Sequence, residues 1–120
     1  MKWIILVVVL ALSVGTATAK KLDMDTTRDV LHVYDMSTLS DRQALEAIVG
    51  WMRDGILAAN VMLRNRKQPL IYCPPEKLTI TNRQMIDMVR KEIKEKPQLD
   101  DLPVVVVVLW ALKDTFPCKE

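Results

Sequence analysis

The chain has 120 residues, and its 17 Lys and Arg nearly balance 15 Asp and Glu, leaving a formal net charge of +2. That balance excludes the strongly basic surface of a nucleic-acid or anionic-membrane binder, and its few aromatic residues, not interleaved with cations, argue against stacking on single strands. The length suits one domain with a modest core, for which a covalent staple is useful.

The first residues are set apart from the fold. Met1-Lys2 precedes an unbroken apolar run from Trp3 to Leu12, and Ser13 to Ala19 ends in Ala17-Thr18-Ala19, the small-x-small pattern of a secretory cleavage site. Lys20-Lys21 follows at once. The run falls short of the roughly 20 apolar residues that a bilayer core requires. Residues 1–19 are therefore expected to be a signal peptide cleaved after Ala19. Residues 20–120 are then a periplasmic domain with no membrane attachment after cleavage. Two cysteines, both in the exported part where thiols are oxidised, allow a single intramolecular pairing, Cys73–Cys118. Chain entropy gives about 4 kcal/mol for closing a loop of that length. No Cys-x-x-Cys and no neighbouring histidine accompany them, which leaves a structural disulfide over a redox or zinc site.

In chain order, Thr26 or Thr27 caps a first helix running from Arg28 to about Met36, with Val30, Leu31, Val33 and Tyr34 as its apolar stripe. His32, the only histidine, reads as a packing or surface residue. Ser40-Asp41-Arg42-Gln43 fits a capping box that opens the longest helix, to about Arg64. Leu45, Ile48, Val49, Met52, Ile56 and Leu63 form its apolar face, widened by Ala44, Ala47, Trp51, Ala58 and Met62. Arg42, Glu46, Arg53 and Asn60 leave a narrow polar stripe, so this helix is expected to be central and contacted on several sides. Gly50 and Gly55 each cost about 1 kcal/mol in a helix interior, which points to close packing of another backbone.

Asn65 to Pro75 is a loop carrying Arg64, Arg66 and Lys67 at its start, a solvated helix end or a contact for an acidic partner surface. Thr81-Asn82-Arg83-Gln84 is a second capping box, opening a third helix to about Lys94 or Lys96. Met85, Ile86, Val89 and Ile93 face inward there. Asp87, Arg90, Lys91, Glu92 and Lys94 face water, and Asp87 with Lys91 makes an i, i+4 pair. Pro97 ends the helix. The five valines 104–108 read locally as a buried strand. Good helix formers follow them, however, Asp100 and Asp101 stand ready to cap, and no partner strand is evident. A fourth helix from Asp101 to about Thr115 is the preferred reading. It is apolar all round, so it is enclosed by the others or by another copy, a reason to expect a homodimer.

The fold class is thus all-α, a bundle of four to five helices closed by Cys73–Cys118. No nucleophile stands beside a base, and no glycine-rich loop exists to cradle phosphate. An enzyme is not expected, nor is any cofactor, metal or nucleic acid.

The segment from Tyr72-Cys73-Pro74-Pro75 through Thr81-x-x-Gln84, Met85 to Glu95, Pro97, Leu102-Pro103, Ala111-Leu112 and Phe116-Pro117-Cys118 resembles the Rap/Tai immunity family. These proteins protect bacteria from type VI-secreted peptidoglycan amidases. The resemblance implies a periplasmic, helical, often dimeric protein that binds a cognate amidase effector and blocks its cleft. Candidate contact residues are Arg64, Arg66 and Lys67 before Cys73, and Lys96, Gln98, Asp100 and Asp101 between the last two helices. A small periplasmic acid-stress chaperone, also a helical dimer with one disulfide, is the alternative reading, and a structural subunit of an envelope assembly is a third.

Overall fold

The computed structural model describes residues 24–119. The signal peptide expected over residues 1–19 lies outside them. Four α-helices form: α1 (Thr27–Met36), α2 (Leu39–Asn65), α3 (Asn82–Glu95) and α4 (Val104–Thr115). A 3-10 helix, Pro97–Asp101, joins α3 to α4. The all-α expectation holds, with no strand among the described residues. Cys73 and Cys118 are disulfide-bonded, as expected.

The helix starts follow side-chain chemistry. Thr26 caps α1 by accepting from the Asp29 amide. Thr81 and Gln84 form the full capping box on α3, the threonine oxygen accepting from Gln84 N at 3.1 Å and the glutamine oxygen from Thr81 N at 2.8 Å. The cap of α2 differs from expectation. Thr38, not Ser40, sits at the boundary and accepts from Asp41 N, so Ser40 falls inside the first turn. A threonine two residues earlier caps the Asp41 amide in place of the Gln43 amide expected for Ser40, and so lengthens the helix. The valine run is helical, and α4 begins at Val104 after Pro103 with no side-chain cap.

The core lies where α2, α3 and α4 meet. Met85, Ile86 and Val89 of α3 pack with Val107, Val108 and Leu112 of α4, against Val49 and Ile56 of α2. Asp100 and Asp101 do not cap α4, because their carboxylates are drawn to α1. Arg28 donates to Asp100 at 2.8 and 3.0 Å, and its Nη2 lies 2.7 Å from Asp101. Beside this clamp the backbone N–H and the hydroxyl of buried Thr27 both donate to the Leu102 carbonyl, at 2.9 and 2.7 Å. At the other end of α1, Tyr34 donates to Glu46, and Arg42 donates to the carbonyls of Tyr34 and Asp35. Arg90 of α3 pairs with Asp35.

Two polar side chains read from the sequence as lying on polar faces are buried instead. Asn60 is 3% exposed and Glu92 is also 3% exposed. Glu92 accepts from Lys96 Nζ at 3.0 Å, and Lys96 pairs with Asp114 as well. Burial and the neighbouring Asp114 push the Glu92 carboxyl above the usual range. Lys91 turns toward Glu95, 3.9 Å away, instead of Asp87. The two helix glycines also separate. A Cβ on Gly50 would lie 2.7 Å from Cγ of Asn82, so the space is taken by a side chain at the start of α3 and not by the backbone expected, whereas a Cβ on Gly55 would meet nothing within 4 Å. The widening set on α2 is likewise not covered by the chain: Trp51 is 71% and Met62 55% exposed, with Ala44 and Ala58 exposed beside them.

Two expectations follow for stability. Cys73→Ser should cost about 2–5 kcal/mol in denaturant unfolding, and a reductant should remove the same amount from the native protein. The Asp35 carboxyl is held below its ordinary 3.8 by its hydrogen bond to Arg90, so its contribution is present above that value and fades as pH falls through the lowered one. The pair is half exposed, with side chains 37% and 55% accessible. Asp35→Asn should therefore cost at most ~1 kcal/mol at neutral pH. That gap should close in acid, measured by urea unfolding along a pH series.

Candidate partner-binding face

Residues 66–81 have no regular secondary structure apart from turns, yet they are fixed at several points. The key is Asn60, which α2 presents toward the loop. Its Nδ2 donates to the Tyr72 carbonyl and its Oδ1 accepts from the Ile71 N–H, both at 2.7 Å. One primary amide thus satisfies a donor and an acceptor that the loop backbone could not pair itself. Next in sequence, Cys73 donates its N–H to the Phe116 carbonyl at 2.8 Å and joins Cys118 through sulfur. At the far end Arg53 Nη1 donates to the Ile80 carbonyl at 2.6 Å. Tyr72 packs into the core, where burial raises its phenol.

Held this way, the loop raises a ridge, Leu78-Thr79-Ile80, with a groove on each side. The groove toward α2 has a volume of about 520 Å³ and is lined by Arg53, Asp54, Leu57, Arg64, Pro74 and Glu76, among others. The groove toward α3, about 380 Å³, is lined by Gln84, Asp87, Met88, Lys91 and Phe116 with the ridge residues. Leu78 and Leu57 are substantially exposed. The face therefore offers an apolar ridge between two walls of mixed charge, the composition of a protein-contact surface more than of a small-molecule pocket.

The sequence candidates divide. Arg64, Arg66 and Lys67 are exposed at the end of α2 and form no ion pair among the described residues, and Arg64 reaches the larger groove. Lys67 stands at φ 54°, a left-handed position where a glycine is more usual, and the amide of Gln68 closes the helix end onto the Leu63 carbonyl at 2.9 Å. The second group is mostly engaged inside the molecule. Lys96 is bound by Asp114 and Glu92, which raise its pKa, and it lies 5.4 Å above the Trp110 ring. Asp100 and Asp101 hold Arg28. Gln98 alone of that group is exposed without such a tie among the described residues. Leu78 and Ile80 carried no sequence signal, because isolated apolar residues in a proline-rich stretch follow no periodicity. Leu57 lies off the apolar face read for α2, and Phe116 entered only as part of the Phe116-Pro117-Cys118 motif. Asn60 carried no signal of its role either.

For chemistry the face offers little. His32 is exposed, and no cluster of His, Cys, Asp or Glu suited to a metal occurs among the described residues. No curated protein and no solved structure gives a significant match to the chain. The family model described as Rap1a immunity proteins matches residues 25–118, which takes in α1, the pinned loop and both cysteines. With that match across nearly all of the four-helix unit, the chain belongs to the Rap1a immunity protein family, whose members act against secreted effectors.

Proposed function

We propose that the protein is exported to the periplasm and acts there, as a homodimer, to bind and sterically block a type VI-secreted peptidoglycan amidase. The coarser part, immunity against a secreted effector through binding, comes with the family. The single observation that carries the finer reading is the pinned ridge at Leu78-Thr79-Ile80. A segment lying between two grooves, with Leu78 half exposed and its backbone already fixed by Asn60, Arg53 and the disulfide, would meet a partner's cleft without the ordering cost that a free loop incurs. Occlusion needs no reacting group in the inhibitor. An oxidising compartment also suits a fold that relies on a disulfide, and the leader-like residues 1–19 supply a route to it.

Any peptidoglycan amidase encoded by a neighbouring gene is the partner to test first. Purified protein should bind it and halt its cleavage of peptidoglycan, and periplasmic expression should rescue cells that produce the toxin. Leu78→Asp sits on an exposed tip, so it should leave the melting temperature within about 2 °C while weakening the complex at least tenfold. Unimpeded peptidoglycan cleavage at saturating inhibitor would sink the assignment for that amidase. Asn60→Leu offers a second check: it leaves two loop backbone groups unpaired, so stability should drop by about 2–4 kcal/mol, and affinity should fall with it.

A further inference from the structure

The exposed face of α2 carries a pattern that neither the core nor the partner-binding ridge uses. Ala44, Ile48, Trp51, Gly55, Ala58 and Met62 succeed one another at alternating steps of four and three residues. That spacing keeps them on one line along the helix, over about 27 Å of axis. The described chain leaves the line open to differing degrees: Trp51 and Met62 are exposed by 71% and 55%, Ile48 is partly covered at 37%, and the position where Gly55 would carry a Cβ is open space.

The order of sizes along that line decides what fits it. Counted from its two ends toward residue 53, each large side chain has a small one at the mirrored position: Met62 with Ala44, Ile48 with Ala58, and Trp51 with Gly55. We infer that this stripe is the contact between two copies of the chain, with α2 packed antiparallel on α2 of the second copy about a two-fold axis near residue 53. In that register every layer joins a bulky residue to a gap, as close packing requires. A parallel pairing would set Trp51 on Trp51 and Gly55 on Gly55, a clash followed by a void.

The ends of the line support the same direction. The next steps outward are Asp41 and Asn65, which face one another in the antiparallel register and can hydrogen-bond, carboxylate to amide. Acidic Asp41 then lies at the end where the second copy presents Arg64, Arg66 and Lys67, and the two helix dipoles oppose. A parallel pair would bring the three cations of one copy onto those of the other. With Val61 and Ala47 along the rim, each copy would bury roughly 600 Å², toward the lower bound of stable interfaces. A homodimer that exchanges at micromolar concentration is the expected strength. This inference rests on the homodimer named above and adds its surface, direction and register.

Sedimentation equilibrium of the purified protein tests it. The wild type should be a dimer at tens of micromolar. Gly55→Leu should raise the dissociation constant roughly thirtyfold or more with no loss of melting temperature, since the monomer has room for the side chain. Trp51→Ala should dissociate the dimer comparably, and Gly55→Trp should do so by filling the seat that Trp51 needs. Combining Trp51→Ala with Gly55→Trp exchanges the bulky and small residues across the two-fold and should restore association, because each layer again holds one of each. A monomeric wild type overturns the inference, as does a Gly55→Leu protein that stays dimeric. Failure of the double variant to regain association overturns the register. Effector binding by a monomeric wild type would leave the immunity reading standing, whereas a dimer behaving as above but inert toward the amidase would remove only the amidase.

Discussion

A single buried amide, Asn60, decides whether the 66–81 segment holds one shape at all. The 66–81 segment contributes no helix, and ordering each of its residues costs about 1–2 kcal/mol of backbone entropy. Long irregular segments in small domains persist only where something outside them supplies the missing hydrogen bonds. Asn60 does so at Ile71 and Tyr72, directly before the disulfide, and Arg53 does so again at Ile80. The covalent link alone would bring Cys73 to the end of α4 but would not fix the direction in which the chain leaves it. The polar contacts set that direction, and the bridge limits how far it can be lost.

The same helix that supplies Asn60 and Arg53 also presents the uncharged stripe, and the two features occupy different sectors of its circumference. One side, from Leu45 through Val49 and Ile56 to Asn60, is committed to the core. The opposite side is apolar without being buried, an arrangement that favours association because large exposed apolar patches are unusual on a protein that stays monomeric. Gly50 and Gly55 show the division well. Both are costly in a helix: Asn82 of the same chain occupies the space at the first, the second faces open space within the chain, and the proposed dimer would seat Trp51 of a second copy there.

Much of this was legible from sequence, for identifiable reasons. Helix types and order follow from apolar periodicity and threonine caps, and the Thr81 box marks α3 to the residue. The disulfide follows from there being two cysteines. The valine run was read as helix because α4 continues into Leu109-Trp110-Ala111-Leu112, and tertiary packing overrode local β-propensity. What failed was the sorting of polar residues into inside and outside. Asn60 and Glu92 sit at positions a helical wheel gives to solvent or to the boundary, and only a loop or helix from elsewhere in the chain makes them buried. Asp100 and Asp101 looked like caps because Arg28 is more than seventy residues away. Such long-range partners have no local signature. The ridge at Leu78 was invisible for the same reason.

If one helix carries both surfaces, the way they cooperate is constrained by its stiffness. A 27-residue helix packed against α3 and α4 does not transmit a binding event by bending, so no change in the ridge is required when two copies associate. In the proposed dimer the two Arg64 ends lie at opposite ends of the paired helices, while each ridge, held at Ile80 by Arg53, lies beside the middle of its own α2 on the side turned away from the Trp51 stripe. In that proposed arrangement one effector molecule would meet one ridge, and the dimer would offer two independent sites without the gain that comes when a single ligand spans both. Dimerisation on this plan serves to cover Trp51 and its neighbours, keeping an otherwise exposed apolar face from nonspecific contacts, while the ridge remains free for its own partner. On the proposed plan the division of labour lies in the sectors of α2, and affinity for the effector would be set by the loop and not by the number of copies.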